Sequence, residues 1–139
     1  MNKELEKFNE ELKKTINEIA ECLFKPYEYD QTTSKLVLNY ANFIRIVLFG
    51  WNSKYKQVSQ KISFEEMREE CNKIFKEHLT ETEKEILINH FGLDENHIIP
   101  LELDEIAFLM HAPTDKIIEV GLNALKKVQY QFNRRNLFI

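Results

Sequence analysis

Glycine and proline are scarce in this chain of 139 residues, with three of each. Their scarcity excludes a collagen-like repeat, a long Gly-rich phosphate loop and a sandwich built from many tight turns. Cysteine is nearly absent as well. Cys22 and Cys71 stand far apart and form neither a disulfide framework nor a CxxC redox motif. Both fall on apolar positions of helical patterns, so they read as buried thiols in a reducing, intracellular compartment. No long hydrophobic run is present. The most apolar stretch, 43–50, is interrupted by Arg45 and is far shorter than the roughly 20 residues of a membrane span. The charged, amphipathic start, Met1-Asn2-Lys3-Glu4-Leu5-Glu6-Lys7, predicts no secretory leader. The expectation is a cytoplasmic protein with no membrane partner.

Catalytic signatures are lacking too. There is no Walker motif and no GxGxxG. His78, His90, His97 and His111 form neither HxxxH nor HExxH, and neither cysteine stands near another good ligand at zinc-site spacing. Ser34, Ser53, Ser59 and Ser63 lack a nucleophile-elbow context. His90, directly before Phe91-Gly92, reads as a helix-end residue rather than a catalytic base. The expectation is no catalysis, no metal and no cofactor.

What is present is an ordinary globular mixture, 43% hydrophobic and 30% charged. With so few helix breakers it predicts an all-α protein of one domain or two very small ones. Lys plus Arg is 19 and Asp plus Glu is 23, a net charge of -4. This excludes a strongly basic coat for nucleic acid but leaves room for a small basic face. The charge divides unevenly: residues 1–60 carry 9 basic and 8 acidic groups, residues 61–139 carry 10 and 15.

In the first half, Leu5, Phe8, Leu12, Ile16, Ile19 and Leu23 recur at three- and four-residue spacing and predict a helix over 3–24, stopped near Pro26. Its near-heptad stripe fits a coiled coil or packing on a small bundle. Thr32, Thr33 or Ser34 caps a second helix over 34–49. Leu36, Val37, Tyr40, Phe43, Ile44, Val47 and Leu48 give that helix a broad apolar face, closed at 50–53. Trp51 reads as a partly buried core or hinge residue, with an interface anchor as the alternative. Lys54, Tyr55, Lys56 and Lys61 form a local basic patch with one aromatic, ordinary surface by default, with nucleic-acid contact as the alternative.

In the second half, Ser63 and Glu66 look like a capping box before a helix over 64–78 that carries Phe64, Met67, Cys71, Ile74 and Phe75 on one side. Thr80 and Glu83 form a second box. That helix ends at Phe91-Gly92, with Gly92 in a left-handed stop. A connection over 94–100 leads to a short helix, 103–110, in which Ile106, Leu109 and Met110 pack inward. After His111-Ala112-Pro113, Thr114 or Asp115 caps a final helix to about 130. Its inward stripe is Ile117, Val120, Gly121, Ala124, Leu125 and Val128. A short helix, a tight turn and a longer helix read as a helix-turn-helix.

Over about 61–128 the chain resembles region 4, the C-terminal promoter-recognition region of bacterial sigma-70-type RNA polymerase sigma factors. The residues that carry the resemblance are Leu79-Thr80-Glu81-Thr82-Glu83-Lys84-Glu85-Ile86-Leu87, Phe91-Gly92-Leu93-Asp94, Leu103-Asp104-Glu105-Ile106-Ala107 and Ala124-Leu125-Lys126-Lys127-Val128. The resemblance implies that the last helix meets promoter DNA through Thr114, Lys116, Glu119, Asn123, Lys126, Lys127, Arg134 and Arg135. It also implies a face for the flap of the RNA polymerase β subunit at Phe75, Leu79, Ile86 and Leu87; for these four, simple core packing is the alternative. The recognition helix departs from the family. Where the family carries arginines this chain has Thr114, Lys116 and Ile118, where it carries glutamine this chain has Glu119, and Gly121 removes a side chain from the reading face. Threonine and isoleucine cannot make the bidentate contacts of arginine. The basic residues at the end of the helix fit a phosphate-contacting strip or ordinary helix C-terminal decoration.

The resulting division is 1–60, a helical interaction or dimerisation element unlike the promoter-melting region of a sigma factor, and 61–139, a sigma region-4-like domain. The leading expectation is a non-enzymatic transcription-associated factor that binds RNA polymerase, promoter double-stranded DNA, or both. The alternative is a protein-interaction module, partnered by another transcription protein or forming a homo-oligomer, that keeps the helix-turn-helix and has lost DNA recognition. A helical enzyme with a spatially assembled site is the third and weakest.

Overall fold

The computed structural model describes residues 3–26, 28–49 and 61–135. The closure at 50–53 with Trp51, the patch residues Lys54, Tyr55 and Lys56, and the stripe side chains of Phe8 and Leu12 lie outside the described residues. Among these the architecture is all-α: α1 (Lys3–Leu23), α2 (Gln31–Phe49), α3 (Phe64–His78), α4 (Glu81–Phe91), α5 (Leu103–Leu109) and α6 (Thr114–Arg135). Among the described residues no helix is long and apolar enough to cross a membrane.

Local chemistry sets the helix ends. α2 begins three residues before the expected start, because the carboxylate of Asp30, rather than a Thr or Ser hydroxyl, accepts from the Thr33 N–H at 2.8 Å. Ser63 Oγ accepts from the Glu66 N–H at the start of α3. Thr80 and Glu83 form a full reciprocal box on α4. α4 ends on Gly92 at φ 71°, where its N–H donates to Ile88 O. α6 starts at Thr114, so neither Thr114 nor Asp115 is its cap; the carbonyl of Pro113 instead accepts from Lys116 and Ile117 N–H. It also runs on past 130, because Gln131 and Phe132 are buried.

One apolar core crosses the 60/61 boundary. Ile19, Leu23, Leu36, Val37, Tyr40, Phe43 and Ile44 of α1 and α2 join Phe64, Met67, Phe75, Phe91, Ala124, Val128 and Phe132. Aromatic rings meet edge to face within it: Tyr40 with Phe64 at 5.5 Å and Phe43 with Phe75 at 5.9 Å. The Cys71 thiol is buried there, and burial together with the Glu70 charge pushes its pKa well up. Cys22 is only half-buried. A second, smaller cluster of Ile86, Ile106, Ala107 and Ile117 holds α5 against α4 and the first turns of α6.

The segment between α4 and α5 is tied down by side chains remote in sequence. Asn39 Nδ2 donates to Gly92 O and Ile98 O, both at 2.8 Å. Tyr40 OH donates to Leu93 O at 3.2 Å, and His90 Nδ1 donates to Leu101 O at 2.8 Å. Arg68 of α3 pairs with Glu95 at 2.9 Å. Five polar contacts from three helices therefore set where α5 begins.

Candidate functional site

The residues expected to meet DNA lie along α6, and most of its cationic groups are engaged by carboxylates. Lys127 Nζ is 2.7 Å from Glu83 Oε1. Glu83 is buried and also closes the capping box of α4. Burial by itself pushes the Glu83 pKa up; the Lys127 ammonium and the Thr80 N–H outweigh it and hold the carboxyl below its ordinary range. Arg135 is 2.9 Å from Glu70 and 3.6 Å from Glu77, which fastens the end of α6 to α3. Lys116 is 3.9 Å from Glu119 on the exposed surface. Thr114, Asn123, Lys126 and Arg134 are exposed, and among the described residues Lys126 and Arg134 enter no ion pair.

Gly121 lines the groove between α4 and α6. It is buried and faces Ile86 of α4, whose Cγ2 lies 3.4 Å from where a Cβ would stand. The residues assigned to a polymerase face are equally internal. Phe75, Ile86 and Leu87 are buried and Leu79 is half-buried, although Ile86 and Leu87 line the groove between α4 and α6.

The outer surface of this region is instead apolar and acidic. Leu109, expected inside, is exposed, and its neighbour Phe108 is 82% exposed. On α6, Ile118 is 39% and Leu122 45% exposed. Ile118 and Leu122 form one wall of this shallow groove of about 50 Å³; Leu87 and His90 of α4 form the other and Leu103 of α5 closes one side. Around them stand Glu102, Asp104, Glu105, Asp115 and Glu119, all exposed. From 94 to 115 the chain has six acidic residues and no Lys or Arg.

A sequence signal for the exposed pair existed. Ile106-Ala107-Phe108-Leu109-Met110 is a continuous apolar run. A helix turns about 100° per residue, so one inward stripe cannot hold five successive side chains.

The turn from α5 to α6 carries the other unusual backbone feature. His111 has φ 53°, a left-handed conformation that side-chain-bearing residues rarely adopt. Among the described residues no group of three His, Cys, Asp or Glu is arranged to hold a metal ion. Comparison with protein-family models, curated proteins and solved structures finds no match.

Proposed function

We propose that this is a non-enzymatic, transcription-associated protein whose 61–139 half is a helix-turn-helix similar to sigma region 4, and that it docks a protein rather than reading DNA. The module would be α5, the turn at 110–113 and α6, joined through Ile106, Ala107 and Ile117. The partner that the resemblance suggests is the RNA polymerase β flap, which sets the site of action in the cytoplasm.

The observation that carries this reading is the outer face of α6. Where a DNA reader needs cations and polar donors, this helix exposes Ile118 and Leu122 beside Asp115 and Glu119. Duplex DNA carries one negative charge per about 1.7 Å of its axis, so acidic groups at the contact oppose binding. Two of the five cationic groups of α6, Lys127 and Arg135, are committed to internal ion pairs. Exposed aliphatic side chains over a groove suit an apolar protein surface.

The test is a pull-down of RNA polymerase paired with fluorescence anisotropy on promoter and scrambled duplexes across a salt series. The expected result is polymerase retention that Ile118→Asp abolishes, with no preference between duplexes. Promoter-selective binding with a steep salt slope, weakened by Lys126→Ala, overturns the protein-docking reading and restores the phosphate-strip one. Absence of polymerase retention overturns the choice of partner.

A further inference from the structure

We propose that residues 94–110 form a hinged flap that opens and closes as one unit over the apolar surface between α4 and α6. The backbone at its two ends is built for this. Gly92 at φ 71° and His111 at φ 53° are the two left-handed residues among those described, and they bracket the segment. Glycine adopts that conformation freely, whereas histidine does so against its own Cβ. Both ends are anchored outside the flap. Leu93 is buried in the large cluster, and the Pro113 carbonyl is bonded into the first turn of α6.

Between the hinges, polar ties do most of the holding. The Asn39 amide staples the flap to its base, donating to Gly92 O on the fixed side and Ile98 O on the moving side. A Cβ on Gly92 would stand 2.6 Å from Asn39 Nδ2 and 2.7 Å from Ile98 O, so the glycine makes room for the staple. Arg68 holds Glu95, and the Leu101 N–H donates to Asn89 O at 2.9 Å. The apolar hold is small: Ile106 and Ala107 on Ile86 and Ile117, with Leu101, Leu103 and Met110 half-buried around them. Charge favours release. Asp94, Glu95, Glu102, Asp104 and Glu105 stand in the flap with no Lys or Arg among them. Among the described residues Arg68–Glu95 is the flap's one ion pair. α5 has seven residues, and isolated helices shorter than about 12–15 residues are marginal in water, so α5 melts when the flap lifts. Lifting withdraws Leu103 from the groove and uncovers Ile86 and Ile117. The flap therefore gates that surface, whatever protein docks there.

The test is native-state amide hydrogen exchange on the full chain alone, under conditions where the rate reports the opening equilibrium. The Leu101 N–H, bonded to Asn89 O, reports the start of the flap; the Met110 N–H, bonded to Ile106 O, reports α5. Both should exchange through one opening that is easier than global unfolding. Asn39→Ala should quicken both by the same factor, about tenfold for the loss of its hydrogen bonds. The amides of Phe43 and Ile44 in α2 should keep the parental rate. Glu95→Gln, at a half-exposed side chain, should quicken the same two amides more weakly without touching the core, and added salt should imitate it. His111→Gly should slow both by relieving the left-handed hinge. Acceleration at Leu101 with Met110 unchanged would make Asn39 a local tie and overturns the flap. So does a parent chain in which both amides exchange only as fast as those of Phe43 and Ile44.

Discussion

The two apolar clusters of this molecule are built from different residues and do different work. The larger draws on α1, α2, α3, α4 and the C-terminal half of α6, and it is dense in aromatic rings. The smaller has three isoleucines and an alanine at its centre and joins α4, α5 and the start of α6. The large cluster buries nearly every apolar side chain that it receives. The small one leaves Phe108, Leu109, Ile118 and Leu122 in solvent. A fold that hides most of its aromatic surface in one place and exposes an apolar surface in another separates stability from interaction. Substitutions on the two sides should separate those properties in the same way.

The largest effect is expected at Phe43. Its ring lies at the centre of the large cluster, 5.0 Å from Phe91 and 5.9 Å from Phe75. Phe43→Ala removes those contacts and leaves a cavity that links α2, α3 and α4, at a cost of about 3–5 kcal/mol. Urea unfolding should show a single transition at a much lower midpoint, because residues on both sides of the 60/61 boundary share this core. Two separate transitions, with only one displaced, would show that the boundary divides two cooperative units.

The small cluster should respond less and more locally. Ile106→Ala is expected to cost about 2 kcal/mol, at the low end for such a change, because the cluster around it is small and the short α5 can relax. Amide exchange should quicken over 103–117 while α2 and α3 keep their protection. Equal loss of protection in α2 would mean that the two clusters are one unit.

Glu83 ties α4 to α6 through Lys127 and closes the capping box of α4, and its ionisation gives the comparison a pH axis. Glu83→Gln should cost about 1–3 kcal/mol by weakening a charge-assisted pair at a buried carboxylate. The folded-state pKa is lowered. The stabilisation is therefore fully present above the unfolded-state value, about 4.3. It is lost as pH falls through the lower folded-state value. The difference between parent and Glu83→Gln unfolding free energies should be constant near neutrality and shrink below about pH 4. A difference that is flat across the acid range would remove the ion pair from the account.

Much of this design is legible in the sequence, for reasons that are local. The start of α3 and both ends of α4 follow from Ser63, Thr80 and Gly92, each acting within one helical turn. The inward stripe of α6 at Ile117, Gly121, Ala124 and Val128 follows from period alone. What the sequence hides depends on contacts between distant residues. Asn39 and Tyr40 read as members of a helix face, yet they anchor the backbone at Gly92, Leu93 and Ile98. Lys127 and Arg135 look like surface cations until Glu83 and Glu70 are brought beside them in the fold. Leu79, Ile86 and Leu87 have the composition of a docking face, and only their depth distinguishes them from Ile118 and Leu122.

The smallest effect on stability is expected at that exposed pair, and it is the one that decides what the small cluster is for. Ile118→Asp replaces a 39% exposed side chain on the outer face of α6. Substitutions at such positions usually change stability by no more than about 0.5 kcal/mol, and the urea midpoint should hardly move. Ile118 nevertheless lies on the wall of the groove, and a carboxylate there must be desolvated when an apolar surface closes over it. The variant should keep its fold and lose its partner, whereas Ile106→Ala should lose stability first and binding only as α5 loosens. If Ile118→Asp keeps full partner affinity at unchanged stability, the exposed face is ordinary surface, and the small cluster serves only to hold α5 in place.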